Sequence, residues 1–176
     1  GQKSGDRVTI IHHPDVRRML LSMKARIEAM RALAYTASAA LDKSRHHPDG
    51  MERRRNQALV DFLIPIVKGW CTEGSIEVAS TGVQVHGGMG FVEETGAAQF
   101  LRDARITTIY EGTTGIQAVD LVGRKVALDK GVTALAVIAT MAEVAREIAR
   151  SNNAEVAAMH DSFKQAVDGV AAATQW

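Results

Sequence analysis

From Val16 to Leu41 apolar side chains recur every three or four residues: Val16, Met19, Leu20, Met23, Ile27, Met30, Leu33, Ala37 and Leu41. That period puts them on one stripe of an α-helix and predicts a helix from Pro14 to about residue 45. Pro14 suits the first helical position, where its missing N–H is not needed, and Asp15 suits the positive helix start. His47-Pro48-Asp49-Gly50 ends the run. A helix this long with a single apolar stripe must bury that stripe against other helices.

The rest of the chain supplies such helices. A second is expected from about residue 52 to the low eighties, with Leu59, Phe62, Leu63, Ile66, Val67 and Trp70 on one side. Pro65 should kink it or shift its start. Residues 82–96, GVQVHGGMGFVEETG, read as a loop-rich centre, followed by a short helix over about 95–105 and an extended link, ITTIYEG. Thr113 can cap a helix carrying Ile116, Val119, Val122 and Val126. Leu135, Ile138, Ala142, Ala145 and Ala149 trace a fifth helix after Lys130-Gly131. Ser151-Asn152-Asn153 breaks it, and Val156, Met159, Phe163, Val167 and Val170 trace a sixth. Strand-like alternation is confined to Val8-Thr9-Ile10-Ile11, and no repeat of fixed period emerges. The fold class is therefore all-α, an antiparallel helical bundle with an extra C-terminal helical pair.

Composition agrees: hydrophobic residues make up 46% but aromatic residues only 5%. Twenty-one basic against 20 acidic residues argue against a nucleic-acid binder. Arg53-Arg54-Arg55 is better read as a solvated face than as a nucleic-acid patch, since no aromatic residues interleave. Cys71 is the only cysteine, so no intrachain disulfide forms and a cytoplasmic setting is the default. No apolar run approaches the roughly 18 residues of a membrane span, and there is no signal-peptide layout. His12, His13, His46, His47 and Cys71 are metal-ligand types, but none shows ligand spacing, so no metal site is expected. The polar start, GQKSGDR, without an initiator methionine, reads as the edge of a longer protein.

Two stretches carry candidate chemistry. Gln84-Val85-His86-Gly87-Gly88-Met89-Gly90 has more glycines than a helix end needs; it reads either as an elaborate turn or as bare amides that admit a ligand. In Tyr110-Glu111-Gly112-Thr113-Thr114-Gly115 the one carboxylate, Glu111, reads as a solvated acid at a helix mouth. Beside Tyr110 it could instead be partly desolvated and serve as a base. Between the two, Arg102-Asp103-Ala104-Arg105 reads as structural ion pairing at a helix end.

Taken together, Gln84-x-x-Gly87-Gly88-x-Gly90, Leu101-Arg102-Asp103-Ala104-Arg105 and Ile109-Tyr110-Glu111-Gly112-Thr113 resemble the C-terminal helical domain of the acyl-CoA dehydrogenases. The resemblance runs from about Ile11 to Lys130. HPDVRRMLL and GTTGIQAVDLVGRK look most like the long bacterial members, the 3-methylmercaptopropionyl-CoA dehydrogenase type among them. It implies residues 1–130 as the family bundle and 131–176 as a C-terminal extension, with the parent's N-terminal α and central β domains absent from the chain.

The resemblance also implies a reaction. A carboxylate takes the α-proton of an acyl-CoA thioester while the β-hydrogen leaves as hydride to FAD, giving a trans-2-enoyl-CoA. Glu111 matches that base. Tyr110, Glu111 and Gly112 match substrate-contacting positions, with Gly112 letting the thioester lie close to the backbone. Thr113 and Gly115 match flavin-contacting positions, although many members carry Gln where Gly115 stands. Gln84, Gly87 and Gly88 match the turn that meets the ADP part of FAD on a neighbouring subunit, which implies a homodimer or larger homo-oligomer. An electron-transfer flavoprotein is the implied electron acceptor. With half of each binding site elsewhere, the isolated chain is expected neither to turn over acyl-CoA nor to hold FAD tightly. A non-catalytic helical interaction module is the alternative.

Overall fold

The computed structural model describes residues 8–175, and the polar start GQKSGDR lies outside them. The described residues form helices joined by short turns, with no strand among them. α1 spans Pro14–His46, α2 Gly50–Val85, α3 Gly88–Phe91, α4 Ala97–Thr107, α5 Thr114–Asp120, α6 Val132–Ala149, α7 Ala154–Ala157 and α8 His160–Gln175. The chain divides into two compact units. One comprises residues up to Ala39 with Ile66–Gln117; the other comprises Ala40–Pro65 with the chain from Ala118 onward.

In the first unit the C-terminal part of α2 runs antiparallel to α1. Met30 lies against Cys71 and Gly74, Arg26 pairs with Glu77 at 2.6 Å, and Met23 meets Gly82. Gly74 permits this approach: a Cβ there would come within 2.7 Å of the Met30 sulfur. α1, the C-terminal part of α2 and α4 together line an apolar cleft of about 430 Å³, with Met23, Ile27, Met30, Val78, Ala79 and Phe100 among its residues.

In the second unit α6 and α8 pack on one another, burying Ala134, Ile138 and Ala145 of α6 and Val167 of α8. Gly131, just before α6, meets Thr174 near the end of α8, so the pair is antiparallel. The break between them is a capped turn: Asn153 accepts from the Glu155 and Val156 N–H groups at 2.9 and 3.4 Å.

The alternation at Val8–Ile11, too short for a sheet, forms no strand, and Ile10–His12 is a 3₁₀ turn leading into α1. Three expectations are corrected. The centre at 82–96 is not loop-rich: α2 continues to Val85, then α3 and a 3₁₀ turn at Glu93–Thr95 follow. ITTIYEG is not extended, because α4 runs through Thr107 and the next residues turn tightly. The sixth helix is split at Ala158–Met159 into α7 and α8. Two finer differences concern α2 and α5. α2 starts at Gly50 and continues through Pro65, while α5 passes into a π-helical turn at Leu121–Val126.

Candidate functional site

The residues singled out in the sequence fall into two patches, both in the first unit. One is the turn between α4 and α5, carrying Tyr110, Glu111, Gly112, Thr113 and Gly115. The other is the C-terminal end of α2 with the following glycine turn, carrying Gln84, Gly87 and Gly88. Lys68, beside the first patch, and Gln84 are separated along α2 by roughly 24 Å at the α-helical rise per residue. The patches are two sites on one helix, not one cradle.

The Glu111 turn begins where α4 ends. Buried Thr108 accepts from the Arg105 guanidinium at 2.6 Å and donates to the Arg105 carbonyl at 3.1 Å. The Ile109 and Tyr110 N–H groups both donate to the Ile106 carbonyl, at 3.0 and 3.2 Å. The chain then reverses through two left-handed residues, Glu111 at φ 55 and Gly112 at φ 91. Glycine adopts that region freely, whereas a side-chain-bearing residue does so at a cost. A left-handed glutamate followed by glycine is thus an imposed geometry. Among the described residues the Glu111 N–H has no hydrogen-bond acceptor. The Glu111 side chain is exposed, so the burial considered from the sequence is not provided by this chain.

Beyond Gly112, Thr113 sits just before α5. Its carbonyl accepts from Gln117 N–H at 3.0 Å and its hydroxyl lies 3.4 Å from Ile116 N, a weak cap. Thr114 donates to Glu73 of α2 at 2.7 Å, and Gln117 donates back to the Glu111 carbonyl at 3.4 Å. Gly69 on α2 leaves room for this packing, with Thr114 and Gln117 each 3.9 Å from where its Cβ would be. Gly115 and Thr113 are exposed.

The sequence reading missed Lys68. Its ammonium donates to the Thr107 carbonyl at 2.8 Å and to the Gly112 carbonyl at 2.7 Å, and lies 6.0 Å from the Tyr110 ring centroid. A lysine set among Ile66, Val67 and Trp70 was the available signal.

At the second patch the glycines have different reasons to be glycine. Gly87 is at φ 62, and its N–H donates to the Gln84 carbonyl at 3.0 Å. Gly90 is buried, and a Cβ on it would lie 2.3 Å from the Val83 carbonyl oxygen. Gly88 has neither constraint: its φ is ordinary and nothing lies within 4 Å of a Cβ built there. Thr95 ties the turn together by donating to the Met89 carbonyl at 2.7 Å. The Arg102–Glu93 pair is bidentate, at 3.0 and 2.7 Å, so Arg102 makes the expected ion pair, whereas Asp103 accepts a hydrogen bond from the neutral Gln99 amide at 2.6 Å. Gln84 itself is exposed and lines a polar groove of about 310 Å³ with Arg18, Ser22, Ser80 and Thr81. Arg18 was not singled out from the sequence.

Comparison with known proteins gives these patches their context. Residues 2–127 match the family model for the acyl-CoA dehydrogenase, C-terminal domain. The 3-methylmercaptopropionyl-CoA dehydrogenase of Ruegeria pomeroyi is 61% identical over 129 residues, covering 73% of this chain and 22% of that protein. A broad-specificity linear acyl-CoA dehydrogenase of Mycobacterium tuberculosis is 42% identical over 134 residues, covering 74% and 21%. The chain thus spans about a fifth of the length of these curated relatives. Among solved structures, the apo-form of Bd2924 superposes with a TM-score of 0.68 over 99% of this chain and 35% of that one, at 20% identity, a likeness of fold.

Proposed function

This chain belongs to the acyl-CoA dehydrogenase family as its C-terminal domain, and we propose that within a longer protein it supplies Glu111 as the base that removes the α-proton of an acyl-CoA thioester. The observation that carries the reading is the Glu111 turn: a carboxylate held at a left-handed position, with an N–H on the same residue that has no acceptor among the described residues and a glycine next to it. An α-proton beside a thioester is weakly acidic, so the base must be aligned and the developing enolate oxygen must meet a donor. The Glu111 N–H is such a donor. Gly112 gives the thioester a backbone without a side chain, and Tyr110 flanks the acyl part. Since the side chain is exposed in this chain, the exclusion of water that this reading requires has to come from the substrate and from the rest of the protein.

FAD is the cofactor the family implies, and the residues present suit it. The Gly87 and Gly88 positions are open to an approaching ligand, Gln84 offers an exposed amide, and Thr113 offers an exposed hydroxyl beside Gly115. When bound, the flavin accepts the β-hydrogen as hydride. Thr113 and Gly115 would meet it near the base, and Gln84, Gly87 and Gly88 would meet the FAD of a second subunit; the distance between the patches along α2 supports that division. A homodimer or larger assembly, an electron-transfer flavoprotein as acceptor and a cytoplasmic location go with this reading. No described helix is long and apolar enough to cross a membrane. The division into a family bundle to about residue 130 and an extension beyond it is supported by the family match, which ends at residue 127.

Exposed apolar side chains fit a domain that works packed against others: Phe91 is 82% exposed and Phe100 72%. The isolated chain is accordingly expected to be inactive. The test is the Glu111→Gln variant of the full-length protein, mixed with a panel of acyl-CoA thioesters while flavin absorbance is followed. Flavin should remain bound and go unreduced. Near-normal reduction would sink the assignment.

A further inference from the structure

Glu111 holds a backbone conformation unfavourable to its own side chain, on a turn outside any helix. Something must stabilise it. Within the turn the Gln117 contact to the Glu111 carbonyl is long, at 3.4 Å. The strong contacts come from α2: Lys68 reaches the Thr107 carbonyl, 39 residues away, and the Gly112 carbonyl, 44 residues away. Thr107 is the last residue of α4, so its carbonyl lacks an intrahelical partner and sits at the negative end of the helix dipole. A cation is the donor best suited there, and charge-assisted bonds are stronger than neutral ones.

We propose that Lys68 is a positioning residue for the Glu111 base. Its half-buried ammonium joins the end of α4 to the carbonyl just after Glu111, so both ends of the catalytic turn are fixed to one point on α2. Tyr110 is held by the same group, its ring facing the ammonium at 6.0 Å. Lys68 touches no reacting atom. It acts by setting where the Glu111 carboxylate and N–H stand. Methionine would preserve the stem and its packing but leave both carbonyls without the donor.

This inference rests on Glu111 being the base, so the experiment carries a control for that premise. In the full-length protein, Lys68→Met, Lys68→Arg and Glu111→Gln are compared by steady-state kinetics, melting temperature and amide hydrogen exchange. Lys68→Met should lower kcat by about ten- to hundredfold while KM stays within about threefold, the pattern of a misplaced catalytic group. Exchange of the Ile109 and Tyr110 amides, which donate to the Ile106 carbonyl, should accelerate, and Lys68→Arg, which keeps donors, should recover most of kcat. An inactive Glu111→Gln beside a Lys68→Met variant whose kcat stays within about twofold of the parent overturns the role of Lys68 alone. A kcat loss that follows melting temperature, with exchange of the Ile109 and Tyr110 amides unchanged, also overturns it. An active Glu111→Gln instead removes the base assignment itself. Should Lys68→Met fail to fold, Lys68→Leu, which also removes the donor, is read by the same criteria.

Discussion

A Cβ on Gly90 would stand 2.3 Å from the Val83 carbonyl oxygen and 2.9 Å from the His86 Cβ, so the glycine turn closes directly onto the last turns of α2. Backbone cannot yield as a flexible side chain can. Gly90→Ala should therefore cost about 1–3 kcal/mol, the range for overpacking a well-filled site, read as a lowered urea midpoint at unchanged slope. Gly88→Ala adds a methyl to open space and should change stability by less than about 0.5 kcal/mol. In the full-length protein it should nevertheless weaken flavin retention, measured by dialysis and absorbance, since it puts that methyl where the proposed ligand approaches. Equal loss of stability in the two variants would contradict this division of roles.

Asp129 and Thr133 form a second testable pair. The Asp129 carboxylate accepts from the Thr133 hydroxyl and, at 2.9 Å, from its N–H at the start of α6. The Thr133 hydroxyl bond is the main reason the Asp129 carboxyl is held below its ordinary range; burial opposes it, and one carboxylate oxygen is buried without a hydrogen-bond partner among the described residues. A carboxylate depressed in the folded state stabilises above its unfolded pKa of about 3.9, and that stabilisation fades as pH falls through the lower folded value. Thr133→Val should lose about 1 kcal/mol at neutral pH, the scale of one hydrogen bond, and its gap from the parent should narrow as pH drops below about 4. Denaturant titrations across pH check this. A gap independent of pH would contradict it.

Cys71 offers a chemical probe of α1 against α2. Its thiol is half-buried, 3.8 Å from the Met30 carbonyl, and burial pushes its pKa up. The thiolate is the reactive form. Alkylation by iodoacetamide near pH 8 should therefore be slower in the folded chain than in denaturant, with its rate rising at higher pH than for an ordinary cysteine. Equal rates would mean that the α1–α2 contact opens readily.

The long helices were legible because periodicity over many residues outweighs local ambiguity: α1 runs Pro14–His46 against the expected Pro14 to about 45. The short segments were not. Ile106, Thr107, Thr108 and Ile109 are β-branched and read as extended by propensity. Capture of the Thr107 carbonyl by Lys68, from 39 residues away, favours the helix end instead. A left-handed Glu111 leaves no mark in the sequence, because glutamate is not a residue that turns select. Gly87, Gly88 and Gly90 could be flagged as a group, but only geometry separates left-handed Gly87, tightly packed Gly90 and unconstrained Gly88. Lys68 carries no spacing signature, since one lysine on a helix is ordinarily solvated.

Exchange of the substrate α-hydrogen with solvent tests the central assignment most directly. The full-length protein and its Glu111→Gln variant are incubated in D₂O with an acyl-CoA thioester that binds but lacks a β-hydrogen to lose, and deuterium at the α-carbon is followed by NMR. The parent should label the α-carbon and the variant should not, both binding the thioester. Labelling by Glu111→Gln at the parent's rate would contradict Glu111 as the base.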